Sequence, residues 1–100
     1  MIIEILEYDL GDSVLDFSPR TTWLRHDAIL EVRTSTGRAR KGEDELWSQR
    51  VVILVKGETR WRTVDLDFYD PRDPEDTRRA LSASEASARK LVDQISGCSK

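Results

Sequence analysis

The sequence has one cysteine, one histidine and no long apolar run, and each scarcity narrows what the protein can do. Cys98 alone cannot form a disulfide or a thiolate metal cluster within the chain, and only Lys100 lies near it to lower its pKa. His26 has no second histidine with which to hold zinc, and Asp27 beside it would point to the opposite face of a strand. We therefore expect no metal and no cofactor.

The chain also lacks a membrane-spanning pattern and an excess of one charge. No apolar stretch approaches the ~18 residues that span a bilayer, and the start, Met-Ile-Ile-Glu, predicts no signal peptide. Charged residues make up 35% of the 100 residues, yet the formal net charge is only −3, so both signs are dense on the surface. Duplex-DNA binders usually present a basic face, which this balance disfavours. We expect a soluble, cytoplasmic protein with a single domain, residues 1–100.

The strongest pattern present is a run of five apolar residues, 51–55, four of which are β-branched. Such a run predicts a strand that is buried on both faces. Gly57 predicts a turn, and the returning segment alternates apolar Val64, Leu66 and Phe68 with acidic residues. By this alternation the apolar residues share a face with Arg60 and Arg62, while Trp61 shares the other face with Asp65 and Asp67.

Four further strands and two helices are expected. Asp73 followed by Pro74 predicts a helix N-terminus and a short helix through Leu81. Ser82 and Glu85 match a capping box that would open a last helix, which ends near Gly97. The expected strands cover residues 2–10, 14–17, 21–25 and 28–36, with a turn at 11–13 and an interruption at Ser18-Pro19. The apolar stripe of the last helix consists of Leu81, Ala88, Leu91, Val92 and Ile95.

Together these elements predict an α+β fold. We expect a curved antiparallel sheet, or a small barrel, of four or five strands, with a C-terminal amphipathic helix packed on one face. One helix cannot cover both faces of a sheet whose central strand is apolar on both sides. The second face must therefore be covered by a folded-back sheet, by a long loop or by another molecule.

A long polar connection is predicted at residues 37–49, with a basic half and an acidic half. Connections of this length without structure are uncommon and are often functional. Leu46 and Trp47 are an apolar pair within it, which predicts either a contact with a partner or a clamp over the open sheet face. Arg38, Arg40 and Lys41 are candidate phosphate contacts, although the acids that follow would screen them.

The motifs of catalysis are weak. Asp65 and Asp67 lie two apart on a predicted strand and Asp70 is near, which is a carboxylate pattern that can hold Mg²⁺. A solvated strand face explains the same residues equally well. The chain has no Gly-x-Ser-x-Gly elbow and no Gly-rich phosphate loop. We expect a protein that is not an enzyme.

Arginine and tryptophan residues recur together, as in Arg60-Trp61-Arg62 and in Trp47 with Arg50. These residue types dominate the energetic centres of protein interfaces, and they also stack on single-stranded bases. Trp23 and Trp61 have two interpretations, since a small domain can use them either to fill its core or as contact residues on its surface. The resulting hypothesis is a small interaction protein, namely an adaptor, inhibitor or accessory subunit, which binds another protein or a second copy of itself. The predicted partner-binding residues are Leu46, Trp47, Arg50, Arg60, Trp61 and Arg62.

The alternative hypothesis is a nucleic-acid-binding module. It would use the arginine and tryptophan residues of the sheet together with the basic segment 38–41. A steep loss of affinity with added salt would distinguish phosphate contact from apolar contact. By association only, small proteins of mixed charge without an evident active site are also typical of modulators encoded by phages and mobile elements.

Overall fold

The computed structural model describes residues 1–97, so that Cys98 lies outside the described part of the chain. These residues form two antiparallel sheets, one of two strands and one of three, and a helix at the end of the chain. The predicted α+β class and antiparallel pairing are confirmed, although the five strands are divided between two sheets. The elements are β1 (Ile2–Leu10), β2 (Phe17–Arg25), β3 (Ile29–Arg40), β4 (Leu46–Val55), β5 (Arg62–Tyr69) and α1 (Pro74–Gly97), with a single 3-10 turn at His26–Ala28 between β2 and β3.

The first hairpin pairs β1 with β2, from Ile2 opposite Arg25 at its root to Leu10 opposite Phe17 at its tip. The predicted bounds of β1 are confirmed. The predicted interruption at Pro19 is wrong, because β2 is continuous, and the strand expected at residues 14–17 is reduced to its last residue. Within residues 1–97, β2 pairs only with β1. An edge strand tolerates proline because the missing N–H can face away from the partner strand.

The second hairpin, β3 with β4, includes most of the segment that the sequence predicts to be a loop. β3 extends to Arg40 and β4 begins at Leu46, so only the residues between them form the connection. The prediction of a loop over residues 37–49 is therefore wrong. The two strands are tied together where the loop was expected to begin, because the hydroxyl of Thr36 donates a hydrogen bond to Oε1 of Gln49 at 2.5 Å. The prediction failed because polar side chains suit the solvated end of a hairpin as well as they suit a loop.

A β-bulge lies in the pairing of β4 with β5, beyond the predicted turn at Gly57, whose φ is +85°. Val52 pairs with Thr63, but the adjacent Val51 pairs with Asp65, which leaves one extra residue in β5. The extra residue exchanges the two faces of the strand. The faces predicted by simple alternation are therefore wrong. One face of β5 carries Thr63, Leu66 and Phe68, and the other carries Arg62, Asp65 and Asp67.

The core lies on the face of the β3–β4–β5 sheet that carries Ile53, which is 0% exposed. We call this the helix face, because Leu91 and Ile95 of α1 pack against its cluster. The root of the first hairpin covers the same face. Apolar residues from both sheets and from α1 therefore meet in one cluster. Its buried members are Ile3, Ile5, Ile29, Ile53 and Val55, and Leu24, Ala28, Val32 and Val64 are packed around them.

The opposite face of the three-stranded sheet, here called the back face, meets the tip of the first hairpin. The ring of Phe17 lies 5.9 Å from the ring of Tyr8 and 5.9 Å from that of Phe68, measured between ring centroids. Leu10 borders the same cleft as Val52 of the back face. The tip of the two-stranded sheet therefore folds back over part of this face.

A single helix follows β5. The predicted break before Ser82 is wrong, because α1 runs from Pro74 to Gly97 and the hydroxyl of Ser84 donates to the carbonyl of Leu81 at 3.0 Å. The residues around the expected break include no proline or glycine, so nothing in the backbone opposes a continuous helix. The predicted N-terminus is confirmed, since Asp73 Oδ1 accepts hydrogen bonds from the backbone N–H groups of Glu75 (3.0 Å) and Asp76 (3.3 Å).

The buried stripe of α1 differs from the predicted stripe in its first half. Leu81 and Val92 are 41% and 44% exposed, whereas Ala80 and Ser84 are buried. Small residues at these positions let the helix backbone approach the end of β5. An arginine fixes the contact, because Arg79 donates to Asp67 Oδ2 at 2.7 Å and to the Phe68 carbonyl at 3.0 Å.

The continuous helix makes a prediction about its two candidate N-caps. We expect Asp73→Ala to lower the free energy of unfolding by about 1 kcal/mol, because two backbone N–H groups lose their acceptor. The matched control Ser82→Ala should leave the stability unchanged or raise it slightly, since alanine has the higher helix propensity in a helix interior. Urea denaturation followed by circular dichroism measures both. A loss of similar size in both variants would show that the helix is divided at Ser82.

Candidate functional site

The predicted apolar anchor in the long loop is a strand residue with partners of its own. Trp47 is half-buried, and its indole Nε1 donates to Glu45 Oε1 at 3.1 Å. The guanidinium of Arg38 lies over the indole ring, 5.8 Å from the centroid, and pairs with Glu45 at 3.0 Å. Leu46 is half-buried beside them. Trp47 is therefore held within its own hairpin.

The three candidate phosphate contacts do not form a loop. Arg38 and Arg40 lie on β3, and only Lys41 lies in the connection. Arg38 pairs with Glu45, and Arg40 donates to the carbonyl oxygen of Asp44 at 2.9 Å. Local acceptors thus engage two of the three cations.

The residues of the Arg60-Trp61-Arg62 segment differ in exposure and in the face of the sheet on which they lie. Arg60 is exposed in the turn before β5. Trp61 borders the cleft on the back face, where the guanidinium of Arg33 lies 4.9 Å from the centroid of its ring. Arg62 lies on the helix face. All three residues nevertheless border one cleft beside the first hairpin, together with Tyr8 and Leu10.

Arg62 is the centre of a partly buried charge cluster. It donates from Nε to Glu58 Oε1 at 2.9 Å and forms a second hydrogen bond to Oε2 of the same carboxylate. Its Nη1 is 3.4 Å from Oε2 of the buried Glu7, which Arg20 also approaches at 3.5 Å. The hydrogen bonds between Arg62 and Glu58 lower the pKa of Glu58 and raise the pKa of Arg62. This cluster joins the first hairpin to β5.

Of the three aspartates considered for metal binding, Asp65 and Asp67 share a face of β5 as predicted, while Asp67 and Asp70 are each paired with an arginine. Asp67 pairs with Arg79 of α1 at 2.7 Å. Asp70 accepts a hydrogen bond from the backbone N–H of Arg72 at 2.9 Å and pairs with its side chain at 3.2 Å, and these bonds lower the pKa of Asp70. Within residues 1–97, no group of three or more His, Cys, Asp or Glu side chains is arranged to hold a metal ion.

His26 lies in the 3-10 turn rather than on a strand. Its Nδ1 is 3.2 Å from the carbonyl oxygen of Met1, and its backbone N–H donates to the same oxygen at 3.0 Å. Asp27 beside it pairs with Arg25 at 2.9 Å. The histidine thus closes the root of the first hairpin onto the start of the chain.

A surface that the sequence analysis missed lies on the outer side of the first hairpin. Trp23, Ile2 and Leu6 are 63%, 64% and 49% exposed. Trp23 is directly opposite Glu4, which stands between Ile2 and Leu6 on the same face of β1, so the three apolar side chains are cross-strand neighbours. We call these three residues the outer face. The sequence did contain a signal for this surface, because apolar residues occupy both sets of alternating positions in β1. Only one face of the hairpin packs on the core, so the apolar residues of the other face are exposed.

Comparisons with protein-family models, with curated proteins and with solved structures gave no significant match for this chain. Within residues 1–97, no helix has both the length and the apolar character that a membrane crossing requires.

The Glu58–Arg62 pair predicts a specific acid sensitivity. The pKa of Glu58 is lowered from its ordinary value of 4.5, so its stabilising contribution is present above that pH and is lost as the pH falls through the lowered value. We expect the free energy of unfolding to fall less steeply from about pH 5 to about pH 3 in Glu58→Gln than in the wild type. Denaturant titrations at several pH values measure the slopes.

The matched control for this experiment is Glu85→Gln. Glu85 is exposed on α1 and has no ion pair among the described residues. In Glu85→Gln the free energy of unfolding should therefore fall with decreasing pH as steeply as in the wild type. Equal slopes in the wild type and in Glu58→Gln would contradict the assignment.

Proposed function

We propose that this protein is a small, non-enzymatic, cytoplasmic interaction module, an adaptor, inhibitor or accessory subunit that acts by surface contact. The outer face is its contact surface. The observation that carries the proposal is the exposure of Trp23, at 63%, beside two exposed aliphatic side chains on the same side of a hairpin. Tryptophan is among the residues that contribute most to binding energy when an interface covers them.

The composition of the outer face indicates the kind of partner. Glu4 stands among its three apolar side chains, and Arg25 lies opposite Ile2 at one end of the face, so the surface is apolar with charges of both signs. The partner is therefore a protein surface that combines apolar side chains with charges of both signs. A second copy of this chain has such a surface, so self-association is the first case to test.

The free edge of β2 adds a second means of contact. Within residues 1–97 this strand pairs only with β1, so its other side has unpaired backbone groups next to Trp23. Pro19 has no backbone N–H, so it removes one hydrogen-bond donor near the start of β2. A partner strand could add to the remainder, in the manner of β-augmentation. A stable interface covers roughly 800 Å² on each partner, more than the few hundred Å² of a typical apolar patch, so the surrounding residues and this edge must also take part.

We also infer that the two sheets act as one curved antiparallel layer with the amphipathic helix on one face. The contacts of β1 with β5, the pairing of Arg62 with Glu7 and the packing of Leu91 support this inference. In such a layer the hairpin root is held firmly, and the outer face is a rigid surface rather than a mobile flap. A rigid surface loses less conformational entropy on binding.

The alternative of nucleic-acid binding has less support. Arg38 pairs with Glu45, and Arg62 pairs with Glu58 and Glu7, so that two of the arginines assigned to it are already neutralised. Arg60 and Lys41 remain exposed, in different turns. Among the described residues, the ion pairs of these arginines therefore favour the first function over this one.

The proposal is tested by site-specific photo-crosslinking. We expect p-benzoylphenylalanine at position 23 to give one defined adduct on irradiation, at twice the mass of the chain if the partner is a second copy. The matched control carries the same group at position 30, because Leu30 is a 59% exposed apolar residue on β3, outside the outer face. The adduct at position 23 should be suppressed by excess wild-type protein and not by excess Trp23→Ser.

The experiment separates the partners and can overturn the proposal. An adduct in purified protein identifies self-association, and one that forms only in native lysate, with the same competition, identifies another protein. Equal adducts at positions 23 and 30, or competition by Trp23→Ser as effective as by wild type, would overturn the assignment of the outer face. Absence of any adduct under both conditions would do the same.

A further inference from the structure

A cleft lies between the tip of the first hairpin and the back face of the three-stranded sheet. Its volume is about 380 Å³, at the lower end of the range typical of small-molecule sites. Both apolar and hydrogen-bonding side chains line it, which is the usual composition of such sites. We call it the tip cleft, and the lining residues that matter here are Leu10, Ser35, Arg50, Val52, Trp61 and Thr63.

Arg50 is the unusual residue of the tip cleft. Its Nε is buried and has no hydrogen-bond partner, and within residues 1–97 no carboxylate lies within ion-pair distance of its guanidinium. An arginine side chain remains charged at all physiological pH values and has five N–H donors. A buried donor without an acceptor is costly, and such a group in a native structure needs an explanation. An anionic ligand supplies one.

The second guanidinium of the cleft is already neutralised. Arg33 donates from Nε to Glu31 Oε1 at 2.6 Å, and it lies over the ring of Trp61. The cleft therefore offers one uncompensated positive charge, from Arg50. One charge matches a carboxylate better than a doubly charged phosphate, and guanidinium geometry suits two-point contact with a carboxylate.

Ser35 and Thr63 bring hydroxyl groups to the tip cleft, and Leu10, Val52 and Trp61 bring apolar surface. Ser35 is the cross-strand partner of Arg50, and Thr63 is the partner of Val52 on the other side of β4. Both hydroxyls can donate to an anion. Leu10 and Trp61 lie on the side of the cleft nearest the hairpin tip and the β4–β5 turn.

We propose that the tip cleft binds a small organic carboxylate with an aromatic or branched apolar body. The guanidinium of Arg50 contacts the carboxylate, with Ser35 as an additional donor, and Leu10, Val52 and Trp61 contact the body. This site is on the back face and does not depend on the outer face. The proposal therefore stands or falls independently of the proposed function.

The test is an NMR titration of ¹⁵N-labelled full-length protein with phenylacetate. We expect saturable shifts of the Trp61 indole N–H and of the Arg50 Nε–H signals. The neutral analogue phenylacetamide and inorganic phosphate should each bind at least about tenfold more weakly, a difference of about 1.4 kcal/mol. The phosphate arm distinguishes a carboxylate site from a general anion site.

Variants assign the effect to Arg50. Arg50→Gln should weaken phenylacetate binding at least about tenfold, whereas the matched control Arg89→Gln, which alters an exposed arginine on α1 away from the tip cleft, should change it less than about twofold. If Arg50→Gln disturbs the dispersion of the spectrum, Arg50→Lys keeps the charge and should show an intermediate loss. Equal binding of the acid and its amide, unchanged binding in the Arg50 variants, or the absence of saturable shifts would overturn the proposal.

Discussion

The burial of β4 on both faces is the constraint on which the rest of the structure depends. Val51, Ile53 and Val55 require cover on one side of the sheet, and Val52 requires cover on the other. Water must be excluded from both sides, because burial of apolar surface is the dominant favourable term in folding. The helix and the hairpin root cover the first side, and the hairpin tip reaches part of the second. The first hairpin therefore contributes cover to both faces of the three-stranded sheet. Its root packs on the helix face and its tip packs on the back face.

The parts of the fold that depend on local pattern were predictable, and those that depend on pairing were not. The alternation of β1 predicts that strand with its observed bounds, the apolar run lies within β4, and the proline after Asp73 marks the start of α1. The extension of β3 to Arg40 depends on a partner strand, which composition does not reveal. The bulge opposite Val51 leaves no mark in the sequence, yet it exchanges the faces of every residue beyond it.

The site residues were harder to predict than the fold, because the role of an arginine depends on which acid lies near it. Arg62 and Arg38 are drawn into pairs with Glu58 and Glu45, and such pairs become visible only when strand register is known. The indole of Trp47 also has a nearby acid as its partner, because its Nε1 donates to Glu45. Trp23 shows the reverse case, since a tryptophan in a small domain is usually buried and this one is not. Its exposure follows from its place on an edge hairpin whose other side fills the core.

The first hairpin carries the outer face at its root and borders the tip cleft at its tip. Ile2, Leu6, Tyr8 and Leu10 share one face of β1, yet that face is open to solvent at the root and lies against the back face at the tip. Strands twist with a fixed hand, so anchoring the tip through Phe17 and Phe68 also sets the direction in which the root presents Trp23. A hairpin without that anchor would be a flexible two-stranded ribbon of marginal stability. The aromatic contact at the tip therefore holds the first hairpin in place, and with it the outer face at the root.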